Sequence, residues 1–362
     1  MAAHSLNKML TAVDRWYRRQ GRSLPWRIGP KERDAGETPD PYLVWLSEVM
    51  LQQTTIPHAT PYFETFRKRW PTVQTLAWAS WEDVSAAWAG LGYYSRARNL
   101  HACAQAVAEL GRFPQDAAGL RELPGVGPYT SAAIAAIAFD ERVMPVDGNI
   151  ERVVSRLWAI SSDRTEAGWR ASKVVISGKA QELADAQQKD GRAGDLAQAL
   201  MDLGATVCTP RNPNCASCPL WDFCEARKQG EQERYPMKAE KKVVPTRYGS
   251  AFILVRGGEV LLVRRPPRGL LGGMMMPPSS AWTDEKSEAL DGAPGAFDWK
   301  SAGEVRHVFT HFALRLDVWT AEAGSKAKIE GEWLTHEDAL AGTPTVGRKA
   351  LALVLKATAR RR

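Results

Sequence analysis

Four of the five cysteines lie within residues 208–224. Cys208, Cys215, Cys218 and Cys224 follow the spacing C-x6-C-x2-C-x5-C, which can surround one small metal centre. An odd number of cysteines argues against a disulfide framework. Zinc and an iron–sulfur cluster both accept four cysteine ligands, so the spacing alone leaves the two open. Cys103 lies apart on a helical pattern and is predicted to be a buried apolar residue.

Two carboxylates have neighbours that suit acid–base chemistry. Glu48 is three positions from Trp45 and from Leu51 on a predicted helix, and apolar surroundings raise the pKa of a carboxyl group. Asp147 precedes another helix, with Asn149 as the expected N-cap, and the helix N-terminus favours an ionised aspartate. A capping or turn role is the simpler interpretation of Asp147 by itself. One raised-pKa acid and one ionised carboxylate can divide the tasks of acid and anion between them.

The segment LPGVGPYT at 123–130 joins two helical stretches. Gly125 and Gly127, on either side of Val126, let the backbone approach a phosphate closely, and a proline starts the next helix. The N–H groups and dipole of that helix then face an anion. A tight turn without a role in DNA binding is the alternative.

The elements that must position these residues divide the chain. Residues 1–227 have helical patterning, with Asp40 and Pro41 starting one helix and Trp81 starting another that ends at Gly90. A polar stretch at 227–247 is predicted to be an exposed linker.

After that stretch the apolar period changes to two residues. Ser250–Arg256 and Glu259–Arg265 flank Gly257 and Gly258, which predicts a β-hairpin. The run Val305–Ala321 also alternates, and it is predicted to place five apolar side chains on one face: Val308, Phe312, Leu314, Leu316 and Val318. A helix is expected at the end of the chain, from residue 347 onward.

The bulk composition is that of a globular protein, with 44% apolar residues and a net charge of +7 that suits a polyanionic partner. No apolar run is long enough to span a membrane, and no signal-type segment is evident. We therefore expect a cytoplasmic protein.

The cysteine spacing resembles the [4Fe–4S] loop of the endonuclease III superfamily of DNA glycosylases, and LPGVG resembles its helix-hairpin-helix motif. The resemblance implies a cluster with a structural or positional role and a hairpin that grips DNA phosphate through Gly125, Val126 and Gly127. It also implies that Asp147, in a matching V-D-x-N segment with Asn149, is the essential aspartate.

Four further segments are similar to the adenine glycosylase (MutY) family: Pro25–Arg27, SEVMLQQT at 47–54, GLGYYSRARNL at 90–100 and VDGN at 146–149. In that family the counterpart of Glu48 protonates the adenine ring. Tyr129 occupies the position where lyase-competent relatives place a lysine, which implies a monofunctional enzyme.

The same resemblance assigns the contacts to DNA. Trp26 and Arg27 are expected around an adenine that has been extruded from the helix. Gln53, Leu91 and Tyr93 are expected to probe or wedge the duplex. Thr54, the last residue of SEVMLQQT, is expected to contact DNA as well.

The C-terminal third resembles the Nudix-like module with which these enzymes recognise 8-oxoguanine. The segments at 264–278 and 306–316 carry the likeness, and Phe309, Thr310 and His311 lie where relatives have F-S-H. No acidic Nudix hydrolase box is present in the sequence, so pyrophosphate hydrolysis is not expected.

The expected architecture is a mainly α catalytic region followed by an α+β Nudix-like domain. Residues 1–227 would form the helical region, with a six-helix barrel at 29–137 and an iron–sulfur domain from 1–28 plus 138–227. A linker at 228–246 would lead to the Nudix-like domain at 247–362.

The expected activity is removal of adenine opposite 8-oxoguanine or guanine in double-stranded DNA, by a monomer. Two alternatives remain. One is a bifunctional endonuclease III-like enzyme for oxidised pyrimidines, and the other is a non-catalytic iron–sulfur protein that binds mismatches.

Overall fold

The computed structural model describes residues 3–188, 191–240, 244–266, 269–286, 288–309, 311–324 and 327–359. The chain divides into two compact units, residues 1–87 with 93–241 and residues 88–92 with 242–362. The first unit is helical and the second contains a mixed β-sheet, so the predicted fold class is confirmed. Across the described ranges, every helix is too short or too polar to cross a membrane.

The helical unit contains helices α1 to α13, joined mainly by short turns. In chain order they are Ala3–Gln20, Pro30–Asp34, Pro41–Leu51, Ile56–Arg69, Val73–Ala77, Trp81–Ala87, Tyr94–Leu110, Ala117–Arg121, Pro128–Phe139, Gly148–Leu157, Glu166–Asp185, Ala193–Thr206 and Glu225–Lys228. The helix predicted from Trp81 to Gly90 ends at Ala87, because the chain turns there and Gly90 has a φ of 107°.

Helix α3 starts as the sequence predicts. The side chain of Asp40 accepts a hydrogen bond from the Tyr42 N–H at 2.8 Å, and Pro41 occupies the first turn. Every residue of α3 from Val44 to Met50 is buried. A helix that is apolar on all sides is a central core helix, so its single carboxylate is removed from bulk water.

The two ends of the helical unit share one hydrophobic core. The N-terminal helix α1 contributes Trp16, and α10, α11 and α12 contribute Ile150, Ile176 and Leu200. Three of the clustered cysteines pack against this same core. Residues near the start of the chain are thereby fixed beside residues that follow almost 200 positions later.

The stretch at 227–247 is not a uniformly exposed linker, and that prediction was wrong for its first half. Tyr235 is buried, and its carbonyl accepts a hydrogen bond from Arg156 Nε at 3.1 Å. The Glu240 N–H also donates to the Arg164 carbonyl at 3.1 Å. The buried guanidinium of Arg156 needs acceptors, and the backbone of this polar stretch supplies one.

The second unit is built on a mixed sheet. Strands β1 to β6 are Thr246–Arg256, Glu259–Arg264, Met275–Met276, Lys300–Val308, Ala313–Glu322 and Glu332–Thr335, followed by α14 (His336–Gly342) and α15 (Thr345–Ala359). The strand order is β3-β2-β1-β5-β4, with β6 paired to β2 and only the β1–β5 pair parallel among the described strands. The predicted hairpin across Gly257 and Gly258 is confirmed.

The alternating run at 305–321 is two strands, and Val308 does not share the buried face. Antiparallel pairing sets Val308 opposite Ala313, and residues directly opposite each other point to the same side of a sheet. Leu314, Leu316 and Val318 are buried on the other side, whereas Val308 is 72% exposed. The turn between β4 and β5 therefore places Val308 and the even-numbered apolar residues of β5 on opposite sides of the sheet, whereas the sequence pattern assumed one continuous alternation.

Candidate active site

A cavity of about 290 Å³ lies within the helical unit and contains both candidate catalytic carboxylates. We call it the Glu48 cavity. Its walls come from the segment after α1, from α3 and its following turn, from the starts of α9 and α10, and from α12. The polar and aromatic residues that line it are Arg22, Trp26, Arg27, Ser47, Glu48, Gln52, Thr54, Tyr129, Asp147, Asn149 and Gln198.

Glu48 has the character of an acid. Burial in α3 raises the pKa of Glu48 to about 7, the hydrogen bond from Tyr129 lowers it, the charge of Asp147 raises it, and Arg27 lowers it. Desolvation is the largest of these effects because the neutral form of a carboxyl group tolerates an apolar site better. At neutral pH a substantial fraction of Glu48 therefore carries a proton.

Tyr129 lies in the first turn of α9, directly after Pro128. Its hydroxyl donates a hydrogen bond to Glu48 Oε2 at 2.9 Å. Burial and the neighbouring carboxylates raise the pKa of Tyr129 well above its usual value, so the phenol remains a donor. This hydrogen bond fixes one oxygen of Glu48 as an acceptor and leaves the other oxygen for the proton.

Asp147 is itself the N-cap of α10, so the prediction that Asn149 caps this helix was wrong. Asp147 Oδ1 accepts from the backbone N–H groups of Asn149 at 2.9 Å and Ile150 at 2.7 Å. Its Oδ2 accepts from Asn149 Nδ2 at 2.7 Å. Burial raises the pKa of Asp147 and these hydrogen bonds lower it, with burial the larger effect. The hydrogen bonds at the helix terminus thus offset part of the effect of burial on the pKa of Asp147. This burial was not apparent from the sequence.

The side chain of Asn149 belongs to a longer chain of hydrogen bonds. Its Oδ1 accepts from Arg152 Nη2 at 2.9 Å, and Arg152 Nε donates to the Cys208 carbonyl at 2.7 Å. Arg152 also donates to the carbonyl of Gly204. Asp147 is thereby connected through two side chains to the first cysteine of the 208–224 loop.

Trp26 and Arg27 both line the Glu48 cavity. Trp26 is buried and packs edge to face on Phe63, with ring centroids 5.2 Å apart. Arg27 Nη1 lies 2.9 Å from both carboxylate oxygens of Asp202. Sequence reasoning missed Asp202, because nothing local links it to a residue 175 positions earlier.

Gln198 is a second residue that sequence reasoning missed. It is 2% exposed, lines the Glu48 cavity from α12, and its Nε2 has no hydrogen-bond partner among the described residues. A buried amide donor without a partner is costly unless a bound molecule accepts from it. No pattern in the sequence distinguishes it from an ordinary polar residue of a helix.

The 123–130 segment connects α8 to α9 as a tight hairpin. Gly125 has a φ of 72°, and a Cβ there would lie 2.4 Å from the Cβ of Asn99, so only glycine fits. Val126 is buried, its N–H donates to the Leu123 carbonyl at 3.1 Å, and Gly127 is the N-cap of α9. The first turn of α9 then presents backbone N–H groups, as a phosphate site requires.

Gln53 and Tyr93 have exposed side chains and left-handed backbones, with φ of 55° and 48°. Buried Arg96 lies between their segments. Its guanidinium donates to the carbonyls of Val49, Met50 and Gln52. The same guanidinium lies 5.6 Å from the centroid of the Tyr93 ring. Thr54 Oγ1 is 3.4 Å from Arg96 Nη2. Positive φ is costly for side chains other than glycine, and such strain is concentrated at functional sites.

Leu91 is 5% exposed, so the structure does not present it on the surface as the expected wedge. Of the three residues expected to enter the duplex, the structure exposes the other two. Insertion of Leu91 between bases would require its segment to move.

The four clustered cysteines line one cavity. All are free thiols, and Cys208 Sγ accepts from Arg156 Nη1 at 3.3 Å while Cys215 Sγ lies 3.6 Å from Gln232 Nε2. In the described part of the chain, no three His, Cys, Asp or Glu side chains are close enough to hold a single metal ion. Four thiols that line one cavity, two of them with N–H donors on their sulfurs, fit an iron–sulfur cluster, because its several irons hold the ligands further apart than a single metal ion does.

Cys103 is buried in α7, where burial raises the pKa of its thiol to about 12, as expected for an inert apolar residue.

In the second unit Phe309 lies in an aromatic cluster and His311 is exposed. The Phe309 ring centroid is 4.6 Å from that of His307, 4.9 Å from that of Phe312 and 5.6 Å from that of Trp282. Thr310 lies outside the described residues. The structure therefore brings two of the three expected lesion contacts to the turn between β4 and β5.

Known families match along most of the chain. Residues 46–174 match the HhH-GPD superfamily of base excision DNA repair proteins, residues 208–224 match the iron-sulfur binding domain of endonuclease III, and residues 250–353 match the NUDIX domain. A solved thermostable thymine-DNA glycosylase is similar over 63% of this chain and 100% of its own, with a TM-score of 0.51 and 24% identity, which supports the helical fold. Fold and sequence thus define an iron–sulfur DNA glycosylase of base excision repair.

Similar proteins identify the family of DNA glycosylases to which the chain belongs. The adenine DNA glycosylase of Homo sapiens is 35% identical over 393 residues, covering 89% of this chain and 69% of that protein. The adenine DNA glycosylase of Mycobacterium tuberculosis is 42% identical over 217 residues, 59% of this chain and 66% of that protein. The chain belongs to the adenine DNA glycosylase family, as its motifs predicted.

Proposed function

We propose that this protein removes adenine paired with 8-oxoguanine or guanine from duplex DNA, by flipping the nucleotide and hydrolysing its N-glycosidic bond. The observation that carries the proposal is the pair of carboxylates in the Glu48 cavity, one of them with a pKa of about 7. An acid for the base and an anion for the sugar are what this bond cleavage requires.

The positions of the two carboxylates support base flipping. Glu48 is 9% exposed at the wall of a cavity inside the helical unit. A base stacked in a duplex cannot reach a buried side chain, so the nucleotide must leave the stack. Trp26 and the free amide of Gln198 supply one apolar wall and one hydrogen-bond donor for the extruded base.

The two carboxylates then have different tasks. Protonated Glu48, oriented by Tyr129, donates its proton to a ring nitrogen of adenine, which makes the neutral base a better leaving group. Asp147, held by three hydrogen bonds, stabilises the positive charge that develops on the sugar as the bond breaks. A water molecule then adds to the sugar carbon and gives its proton to the Glu48 carboxylate, which restores the acid.

Tyr129 supports a monofunctional reaction. A lyase reaction needs an amine that forms a Schiff base with the sugar, and a phenol cannot form one.

DNA binding and lesion recognition are assigned to separate surfaces. The hairpin at Gly125–Gly127 would hold backbone phosphate, while Gln53 and Tyr93 would contact the opened base pair. Phe309 and His311 of the NUDIX domain would read the 8-oxoguanine that remains in the opposite strand.

We also propose that the cluster is of the [4Fe–4S] type, held by Cys208, Cys215, Cys218 and Cys224. With all four ligands from the protein, the cluster fixes the 208–224 loop in place and no iron is left open to substrate. Arg156, which donates to Cys208 Sγ and to the carbonyls of Thr209 and Pro210, orders the start of that loop.

The decisive experiment compares duplexes in which adenine faces 8-oxoguanine or guanine with a duplex that contains thymine glycol. Each is incubated with iron-loaded protein, and strand breaks are counted before and after alkali. We expect alkali-dependent breaks at adenine, fastest opposite 8-oxoguanine. Breaks without alkali, or a covalent adduct trapped by borohydride, would indicate a lyase, and intact adenine in every duplex would overturn the proposal.

A cysteine variant tests the cluster. Cys218→Ser should lose most of the iron and the visible absorbance of the cluster, and with them the affinity for DNA, because serine is a poor ligand for iron in such clusters. Cys103→Ser is the matched control, since that thiol is buried elsewhere, and it should keep its iron. Full cluster absorbance in the Cys218 variant would rule out Cys218 as a ligand.

A further inference from the structure

Asp202 is a fully buried carboxylate that binds two arginines of the Glu48 cavity. Its side chain has 0% exposure. It accepts hydrogen bonds from the backbone N–H of Arg22 at 2.7 Å and from Arg22 Nε at 2.7 Å, and it pairs with Arg22 Nη2 at 2.6 Å. Arg27 Nη1 lies 2.9 Å from both of its oxygens. Asp202 itself does not line the cavity, whereas both arginines do.

Burial makes this arrangement electrostatically strong. The side chain of Arg27 is only 8% exposed, so water screens its charge very little. A buried cation without its partner is strongly unfavourable, and it attracts any carboxylate nearby. The closest alternative anions in the cavity are the two carboxylates that are proposed to perform the reaction.

We propose that Asp202 is a positioning residue for base excision: it holds Arg22 and Arg27 against the Glu48 cavity and neutralises their charge, so that Glu48 keeps its proton. This inference rests on the acid role given to Glu48 above. Asp202 touches neither Glu48 nor the cavity, and its effect passes through the two arginines.

The groups that face Glu48 come from several elements. Tyr129 of α9 donates to it, Asp147 at the start of α10 adds a negative charge, and Arg27 of the segment after α1 adds a positive one. Arg22 lines the same cavity. If Asp202 loses its charge, two cations are left with one fewer anion, and the carboxylate form of Glu48 becomes more favourable.

The test is the pH dependence of adenine release in Asp202→Asn, measured as a single-turnover rate with iron-loaded protein in excess over duplex. Asparagine has the size of aspartate but no charge. We expect the pH at which the rate falls by half to decrease by about one unit, which lowers the rate above that pH about tenfold. At low pH, where Glu48 is protonated in both proteins, the rates should agree within about threefold.

Two further variants separate charge from structure. Asp195→Asn is the matched control, because Asp195 is also buried on α12 and paired with Arg192 but lies outside the Glu48 cavity. It should leave the midpoint of the pH profile unchanged. Arg27→Gln removes a cation, so it should move the midpoint upward, and it tests the same linkage if Asp202→Asn does not fold.

A measurement on the protein without DNA tests the role of Asp202 independently of the proposed function. The titration of the Glu48 carboxyl carbon, followed by NMR, should also have a lower midpoint in Asp202→Asn than in the wild type. An unchanged midpoint, or an equal loss of rate at every pH, would overturn the role of Asp202. A wild-type protein that releases no adenine would contradict the proposed function, while the NMR result would still decide on Asp202.

Discussion

Glu48→Gln should release adenine about 10²- to 10⁴-fold more slowly than the wild type in a single turnover, the usual loss when a general acid is removed. Glutamine preserves the shape of the side chain and can still accept the hydrogen bond from Tyr129, but it has no acidic proton to give. Because Glu48 is buried and is not part of the Gly125–Gly127 turn that is proposed to hold phosphate, the affinity for mismatched duplex should change little.

The pH profile adds a second signature to this prediction. The acid form of Glu48 is present below its pKa of about 7 and disappears above it, so the wild-type rate should fall as pH rises through 7. That descending limb should be absent from the small residual rate of Glu48→Gln. Glu64→Gln, at a half-exposed position of α4, serves as the control with the same change of charge. A wild-type rate in the Glu48 variant would remove this residue from the mechanism.

Asp147→Asn should lower the rate about 10²- to 10³-fold, the loss expected when one strong electrostatic contact to the transition state is removed. The cap of α10 should be kept, because asparagine caps a helix about as well as aspartate. The hydrogen bond from Asn149 Nδ2 should be lost, which costs about 1 kcal/mol of stability. The substitution therefore separates the two roles of this residue: its charge acts on the sugar, and its oxygen caps the helix.

Measurement of rate and thermal unfolding on the same samples checks that separation. Asp116→Asn is the control, since Asp116 caps α8 through a hydrogen bond from the Gly119 N–H at 2.7 Å and lies outside the Glu48 cavity. Both variants should unfold near the wild-type temperature, and only Asp147→Asn should be slow. If Asp147→Asn were as fast as the wild type, Asp147 would be a helix cap and nothing more.

Local sequence patterns were sufficient for many of the elements and for the burial of Glu48. Glu48 is conspicuous because apolar residues surround it at helical spacing, and the structure buries it for that reason. Gly257 and Gly258 between two apolar runs were enough to predict the hairpin of β1 and β2. Such signals act over a few residues, where the chain has few other choices.

Features that depend on distant parts of the chain were not predictable in this way. The Asp202 ion pairs join residues 175 and 180 positions apart, and no periodicity marks them. The N-cap of α10 was assigned to the wrong residue because Asp147 and Asn149 are both good caps, and only the backbone conformation selects between them. Val308 was misplaced because a turn, which has no apolar period, lies between two strands that do.

The shared core of α1 with α10, α11 and α12 has a consequence for synthesis of the protein. A ribosome that has translated only to residue 192 has already made Glu48, Tyr129 and Asp147, yet Arg22 and Arg27 then lack the carboxylate that anchors them. The Glu48 cavity also lacks its α12 wall at that stage. A nascent chain therefore cannot complete the Glu48 cavity until α12 has been translated and has docked beside the N-terminus.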